Sequence, residues 1–241
     1  MPLRALGKSQ EPLDAMLKSL QMDPDQPETW YHLALLQSDL GDKKSAIDSF
    51  RKSIALDPEF ADSRNDLGRV LAEAGQVQEA EVQIRSALSI RPAMQGAHAN
   101  LAYLLQNRGD FAEAVSHFER AGGGAFNQFS YGVTLARMNR NAEAQTHLEK
   151  SLQAEARQPL AHEVLGQLLE AEGRIAEALV HYKEAIRLRP DFGKAHLDLG
   201  AALARKGDRA GAAVEFRAAQ SDPDPQIRER ALAGLAAVGA K

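Results

Sequence analysis

The chain has 241 residues, 44% of them hydrophobic and 26% charged, with 29 Lys plus Arg against 33 Asp plus Glu. Its 42 alanines stand against 9 valines, 7 isoleucines and 3 threonines, a balance that favours helix and leaves little for a sheet. The net charge of −4 argues against nucleic-acid binding by bulk charge, the lack of cysteine excludes disulfides, thiolate metal sites and cysteine nucleophiles, and no apolar run is long enough to span a membrane.

Residues 1–7 lack the apolar core of a secretory signal, so a cytoplasmic protein is expected, with an excised part of an exported one as the alternative. Leu13, Met16, Leu17 and Leu20 form a one-sided stripe that predicts a lone helix over residues 11–22. Trp30, Leu33, Leu36 and Leu40 then recur at helical spacing, and Gly41 ends that helix as a C-terminal cap. Asp42 is placed to cap the next helix, as are Asp110 and Asp208 further on. That next helix buries Ala46, Phe50 and Ser53 and stops before Pro58.

The two-helix unit then repeats. Ala46, Ala80, Ala114, Ala144, Ala178 and Ala212 are separated by 34, 34, 30, 34 and 34 residues. Four residues beyond each comes a bulky side chain: Phe50, Ile84, Phe118, Leu148, Tyr182 and Phe216. The pairs Leu33-Ala34, Leu67-Gly68, Leu101-Ala102, Tyr131-Gly132, Leu165-Gly166 and Leu199-Gly200 keep the same register upstream. Gly41, Gly75, Gly109, Gly173 and Gly207 share one place, which Asn139 takes in the fourth unit. Small residues at such positions let two helix backbones approach while the bulky one fills the neighbouring gap. Residues 225–238 close the series with Ile227, Ala231, Leu235 and Val238 on one face.

The pattern resembles the tetratricopeptide repeat, a 34-residue helix–turn–helix unit. The units run 27–60, 61–94, 95–124, 125–158, 159–192 and 193–226. The resemblance implies an all-α fold, an α-solenoid of six tandem repeats wound as a right-handed superhelix. Segments 1–26 and 227–241 would hold the N- and C-terminal capping helices. The third unit departs most: it has 30 residues and ends in Ala121-Gly122-Gly123-Gly124. Three glycines sustain a helix poorly, at about 1 kcal/mol each relative to alanine. The second helix there should end a turn early, and the superhelix should change its step.

No catalytic constellation is present. There is no phosphate-binding glycine loop, no His-Glu-x-x-His pair and no glycine-flanked nucleophilic serine. His98, His162 and His196 share repeat position 4 with Trp30, so each is expected to supply a planar, half-buried ring. His117, His147 and His181 share another position. Equivalent residues in adjacent units lie about 10 Å apart, which is too far for shared metal ligation. No enzyme activity, cofactor or metal is expected.

The resemblance implies that the first helix of each unit lines a concave groove. The candidate partner-binding residues there are Tyr31, Asp62, Asn65, Asp66, Arg69, Asn100, Tyr103, Phe126 and Phe129. Glu28, Asp39, Asp62, Asp66 and Glu73 face only Arg69 in the first two units, so a partner with basic and apolar character is expected. The cations with which some relatives grip a peptide carboxylate are missing. Asn65 and Asn100 could instead bond the main chain of an extended peptide, as groove asparagines do in one branch of the family. The leading reading is therefore a non-catalytic scaffold that binds a protein or peptide, with neither nucleic acid nor membrane insertion. The alternatives are a self-associating structural module and a subunit or part of a larger, exported or enzymatic protein.

Overall fold

The computed structural model describes residues 3–239, with side chains from Pro12 onward. Every regular element among the described residues is an α-helix. In chain order they are α1 (Leu3–Met22), α2 (Pro27–Asp39), α3 (Lys43–Leu56), α4 (Ala61–Glu73), α5 (Val77–Ile90), α6 (Gln95–Arg108) and α7 (Phe111–Phe118). Then follow α8 (Ala125–Arg137), α9 (Asn141–Ala154), α10 (Pro159–Ala171), α11 (Ile175–Leu188), α12 (Gly193–Arg205), α13 (Arg209–Ala219) and α14 (Pro225–Ala237). The chain divides into two compact units between Gly122 and Gly123.

In the first unit α2–α3, α4–α5 and α6–α7 pack as hairpins, α1 lies on α2, and the first helices also meet, α2 on α4 and α4 on α6. In the second unit α8–α9, α10–α11 and α12–α13 form hairpins, α8 meets α10, α10 meets α12, and α14 packs on α12 and α13. Each unit is thus a stretch of α-solenoid. The repeated alanines explain the close packing, since Ala46, Ala80, Ala114, Ala144, Ala178 and Ala212 are all 0% exposed. The turn inside each hairpin needs a left-handed residue. Glycine supplies it five times, and Asn139 adopts φ 58° in the same place.

Trp30, His162 and His196 are half-buried at repeat position 4, as their rings suggest, and the position has a second role. Trp30 Nε1 donates to the Pro24 carbonyl (2.8 Å), and both Nε and Nη2 of Arg64 donate to Pro58 (2.9 and 2.8 Å). His98 reaches the Pro92 carbonyl (2.9 Å), His162 Ala156 (3.3 Å) and His196 Pro190 (3.0 Å). Arg228, equivalently placed on α14, donates to Asp222 (2.9 Å). An N–H that satisfies the carbonyl six residues upstream, fastening the preceding turn, is what these side chains share. His98 is moreover buried rather than half-buried.

Other expectations need correction. Asp42 and Asp208 cap their helices, accepting from Ser45 N (3.1 Å) and Gly211 N (2.8 Å). Asp110 does not; its carboxylate takes the Nε of Arg108 instead. On α1, Leu20 is buried but Leu17 is 39% exposed, so the predicted stripe is narrower than its spacing suggests. The shortened helix is present. α7 ends at Phe118, whereas α3, α5, α9 and α11 continue six residues past the equivalent Phe50, Ile84, Leu148 and Tyr182, and α13 three past Phe216.

Candidate functional site

The first-unit candidates sit on three neighbouring first helices, α2, α4 and α6. Four of them form a connected set. The Tyr31 hydroxyl donates to Asp66 Oδ2 (2.9 Å), Asn65 Nδ2 donates to Asp66 Oδ1 (3.1 Å), and Asn100 Nδ2 donates to Asn65 Oδ1 (2.9 Å). Burial raises the carboxyl of Asp66 against the opposing effect of these donors, and burial together with Asp66 raises the phenol of Tyr31. The Tyr31 ring lies 5.0 Å from Phe60 and 6.0 Å from Phe50, so it is an anchored core-edge ring. Asn65 is only 6% exposed.

Beyond these bonded residues Arg69, Ala72, Glu73, Ile84, Asn100, Tyr103, Leu104 and Asn107 line an open cavity of about 260 Å³ between α4 and α6, floored by α5. Tyr103 is held edge-on against Phe118, with ring centroids 5.3 Å apart. The cavity therefore combines an aromatic wall, aliphatic surface, two amides and an ion pair, Arg69 to Glu73 at 2.8 Å. In the second unit Phe126 is 65% exposed and Phe129 is partly buried, both on α8.

The acid cluster is less open than its sequence suggests. Both carboxylate oxygens of Asp62 bind Arg91 (3.0 and 2.8 Å), and Glu73 also pairs with Lys43 (3.4 Å). Arg91 lies in the proline turn and Lys43 at the start of a second helix, so a tally confined to first-helix positions missed both. Glu28 and Asp39 remain exposed.

A second polar network, in the second unit, was absent from the sequence candidates. Lys194 on α12 contacts both Glu163 on α10 and Asp198, and Gln167 donates to Asp198 (2.8 Å). Burial, aided by Asp198 and opposed by Lys194, pushes the Glu163 carboxyl up to about 7. Glu170 accepts from the Tyr182 hydroxyl (2.8 Å) and pairs with Arg205. The helical offsets that bring these charges together between α10 and α12 were readable, since they are first-helix positions one repeat apart.

The histidines meet in a way that a comparison of like positions hides. His98 Nδ1 lies 2.8 Å from His117 Nδ1, His162 Nδ1 lies 3.0 Å from His181 Nδ1, His147 reaches Gln128 (2.7 Å), and His196 reaches Glu215 (2.7 Å). Each contact joins the two helices of one hairpin. No group of three or more His, Cys, Asp or Glu among the described residues could hold a metal ion.

Family models described as tetratricopeptide repeat match residues 27–60, 49–82 and 95–120, and one described as TPR repeat matches 166–207. No curated protein matches the chain. Among solved structures, it resembles PilF of Pseudomonas aeruginosa at 20% identity and a TM-score of 0.75, covering 86% of this chain and 96% of that one. PilW, described as a widely conserved type IV pilus biogenesis factor, gives 19% identity and a TM-score of 0.73 over 86% of this chain and 98% of that one. YrrB, described as a TPR protein with an unusual peptide-binding site, gives 20% and 0.67 over 76% and 97%. At these identities the likeness shows the fold.

Proposed function

The chain belongs to the tetratricopeptide-repeat family, and from that membership we propose that it is a non-catalytic scaffold holding a segment of a protein partner against the first helices of its hairpins. The observation that carries this reading is the cavity between α4 and α6, where Asn100 and Asn107 offer amides to a main chain beside the apolar surface of Tyr103, Leu104 and Ile84. A cavity that is mainly apolar with a few fixed polar groups suits one anchoring side chain and its adjoining peptide bonds. Because Asn65 is held by Asp66 and in turn accepts from Asn100, the Asn100 side chain is oriented before any partner arrives. The partner carries a bulky apolar residue for this cavity and basic residues toward Glu28 and Asp39. With Asp62 and Glu73 already paired, its dependence on salt is shallow.

The test is a pull-down with the intact chain and with a triple variant, Tyr103→Ala, Phe126→Ala and Phe129→Ala. The wild-type chain retains a partner that the folded variant loses. Equal retention by a variant of unchanged helicity would overturn the assignment.

A further inference from the structure

We propose that the two imidazole pairs, His98–His117 and His162–His181, are acid-sensitive joints that loosen the α6–α7 and α10–α11 hairpins on protonation and leave the α12–α13 hairpin closed. A neutral imidazole has one donor and one acceptor nitrogen. The Pro92 carbonyl, 2.9 Å from His98 Nε2, can only accept, so that nitrogen carries the proton. His98 Nδ1 is then the acceptor, and Nδ1–H of His117 donates to it across 2.8 Å. The Ala156 carbonyl fixes His162 in the same tautomer, and His181 donates to it.

This arrangement limits what each pair can hold. A first proton enters at the outer nitrogen of His117 or His181 and leaves the shared bond intact. A second has only Nδ1 of His98 or His162 to bind. It would set two N–H groups face to face, and two cations with ring centroids 5.1 Å or 5.3 Å apart. The sixth hairpin answers the same position differently. His196 has the Pro190 carbonyl at Nε2 and the Glu215 carboxylate at Nδ1, two acceptors that only the charged ring, with an N–H on each nitrogen, can satisfy together.

The surrounding charges do not cancel the effect. His117 has the Glu113 carboxylate 3.8 Å away but also faces Arg85 and Arg120. His162 and His181 face Glu149 from α9, and Glu177, Glu184 and Arg187 from α11. Burial holds His117, His162 and His181 below the ordinary histidine value, whereas the bond to Glu215 raises His196. Groups lowered in this way stabilise the fold at neutral pH, and that contribution is lost as pH falls below about 6.5. His196 has the opposite sign: its contribution is full below about 6.5 and fades as pH rises. Protons reach the second-unit pair through an open cavity of about 420 Å³ lined by Glu149, Gln153, His162 and His181. Because α6 also carries Asn100 and Tyr103, a partner held there would feel the first joint; that consequence rests on the function proposed above, whereas the joints do not.

The test is amide hydrogen exchange on the full chain near pH 7.5 and near pH 5, corrected for intrinsic rates. The α6–α7 and α10–α11 amides should lose protection at the lower pH while those of α12–α13 keep theirs. His117→Gln with His181→Gln should abolish that difference, since an amide can donate to the neutral ring of His98 or His162 and accept from the charged one. Glu215→His should create the same sensitivity in α12–α13. Protection that falls equally in all three hairpins, or a difference that survives the double glutamine variant, would overturn the proposal.

Discussion

Replacing Gly166 with alanine tests the packing rule on which the whole fold rests. An added Cβ would lie 2.5, 2.7 and 3.1 Å from the Cε1, Cδ1 and Cζ atoms of Tyr182. That ring is 0% exposed, and its hydroxyl donates to Glu170 at 2.8 Å, so it cannot swing aside without surrendering the bond. Overpacking costs about 1–3 kcal/mol. A weakened hydrogen bond to a charged group adds up to about 1.5–3 kcal/mol, and the better helix propensity of alanine returns about 1 kcal/mol. The net expectation is a loss of about 2–4 kcal/mol, read by urea denaturation followed by circular dichroism. Pairing Gly166→Ala with Tyr182→Ala, which removes the ring atoms that the Cβ would meet, should cost less than the sum of the two single changes. A neutral or stabilising effect of Gly166→Ala alone would refute the close-approach argument.

Ser53 Oγ is buried without a hydrogen-bond partner where other hairpins carry Ala87, Ala185 and Ala219, so Ser53→Ala should raise stability by about 1 kcal/mol in the same assay. A fall would show that the hydroxyl is satisfied. Gly75 has φ +80° with nothing within 4 Å of an added Cβ, so Gly75→Ala should cost about 1–2 kcal/mol through the backbone alone. Gly75→Asn should cost less, as Asn139 already adopts that conformation; the reverse order would exclude the backbone explanation. With the Glu163 carboxyl pushed up to about 7, the folded chain holds that proton longer than the unfolded one. Its contribution is full below about 4.5 and fades as pH rises through about 7, and Glu163→Gln should flatten the stability profile across that window. An unchanged profile would remove Glu163 as its source.

Much of this fold could be read from residue spacing because tandem packing writes the same requirement into every unit. The glycine or asparagine at each turn, the buried alanine of each second helix and the end of α7 at the glycine run follow from local rules of conformation and volume. What spacing hid was pairing between unlike positions. His98 and His117 are 19 residues apart in one hairpin, and a comparison of each histidine with its equivalents in other units never brings them together. The charge tally failed for a related reason. Asp62 is paired from a turn and Glu73 from a second helix, neither of which belongs to the first-helix face. Tyr31 was legible as an aromatic at a first-helix position, but its role depends on Phe60 and Asp66, residues of the neighbouring hairpin.

The central claim, that a partner segment is held between the first helices, is tested most directly by photocrosslinking from single positions in the intact chain. A photoreactive residue at Tyr103, on the wall of the α4–α6 cavity, should capture the partner, and Asn100→Ala should reduce that capture. The same residue at Val82, 59% exposed on the second helix α5, should not. Crosslinking from position 82 with none from position 103 would place the partner on the second helices and contradict the account.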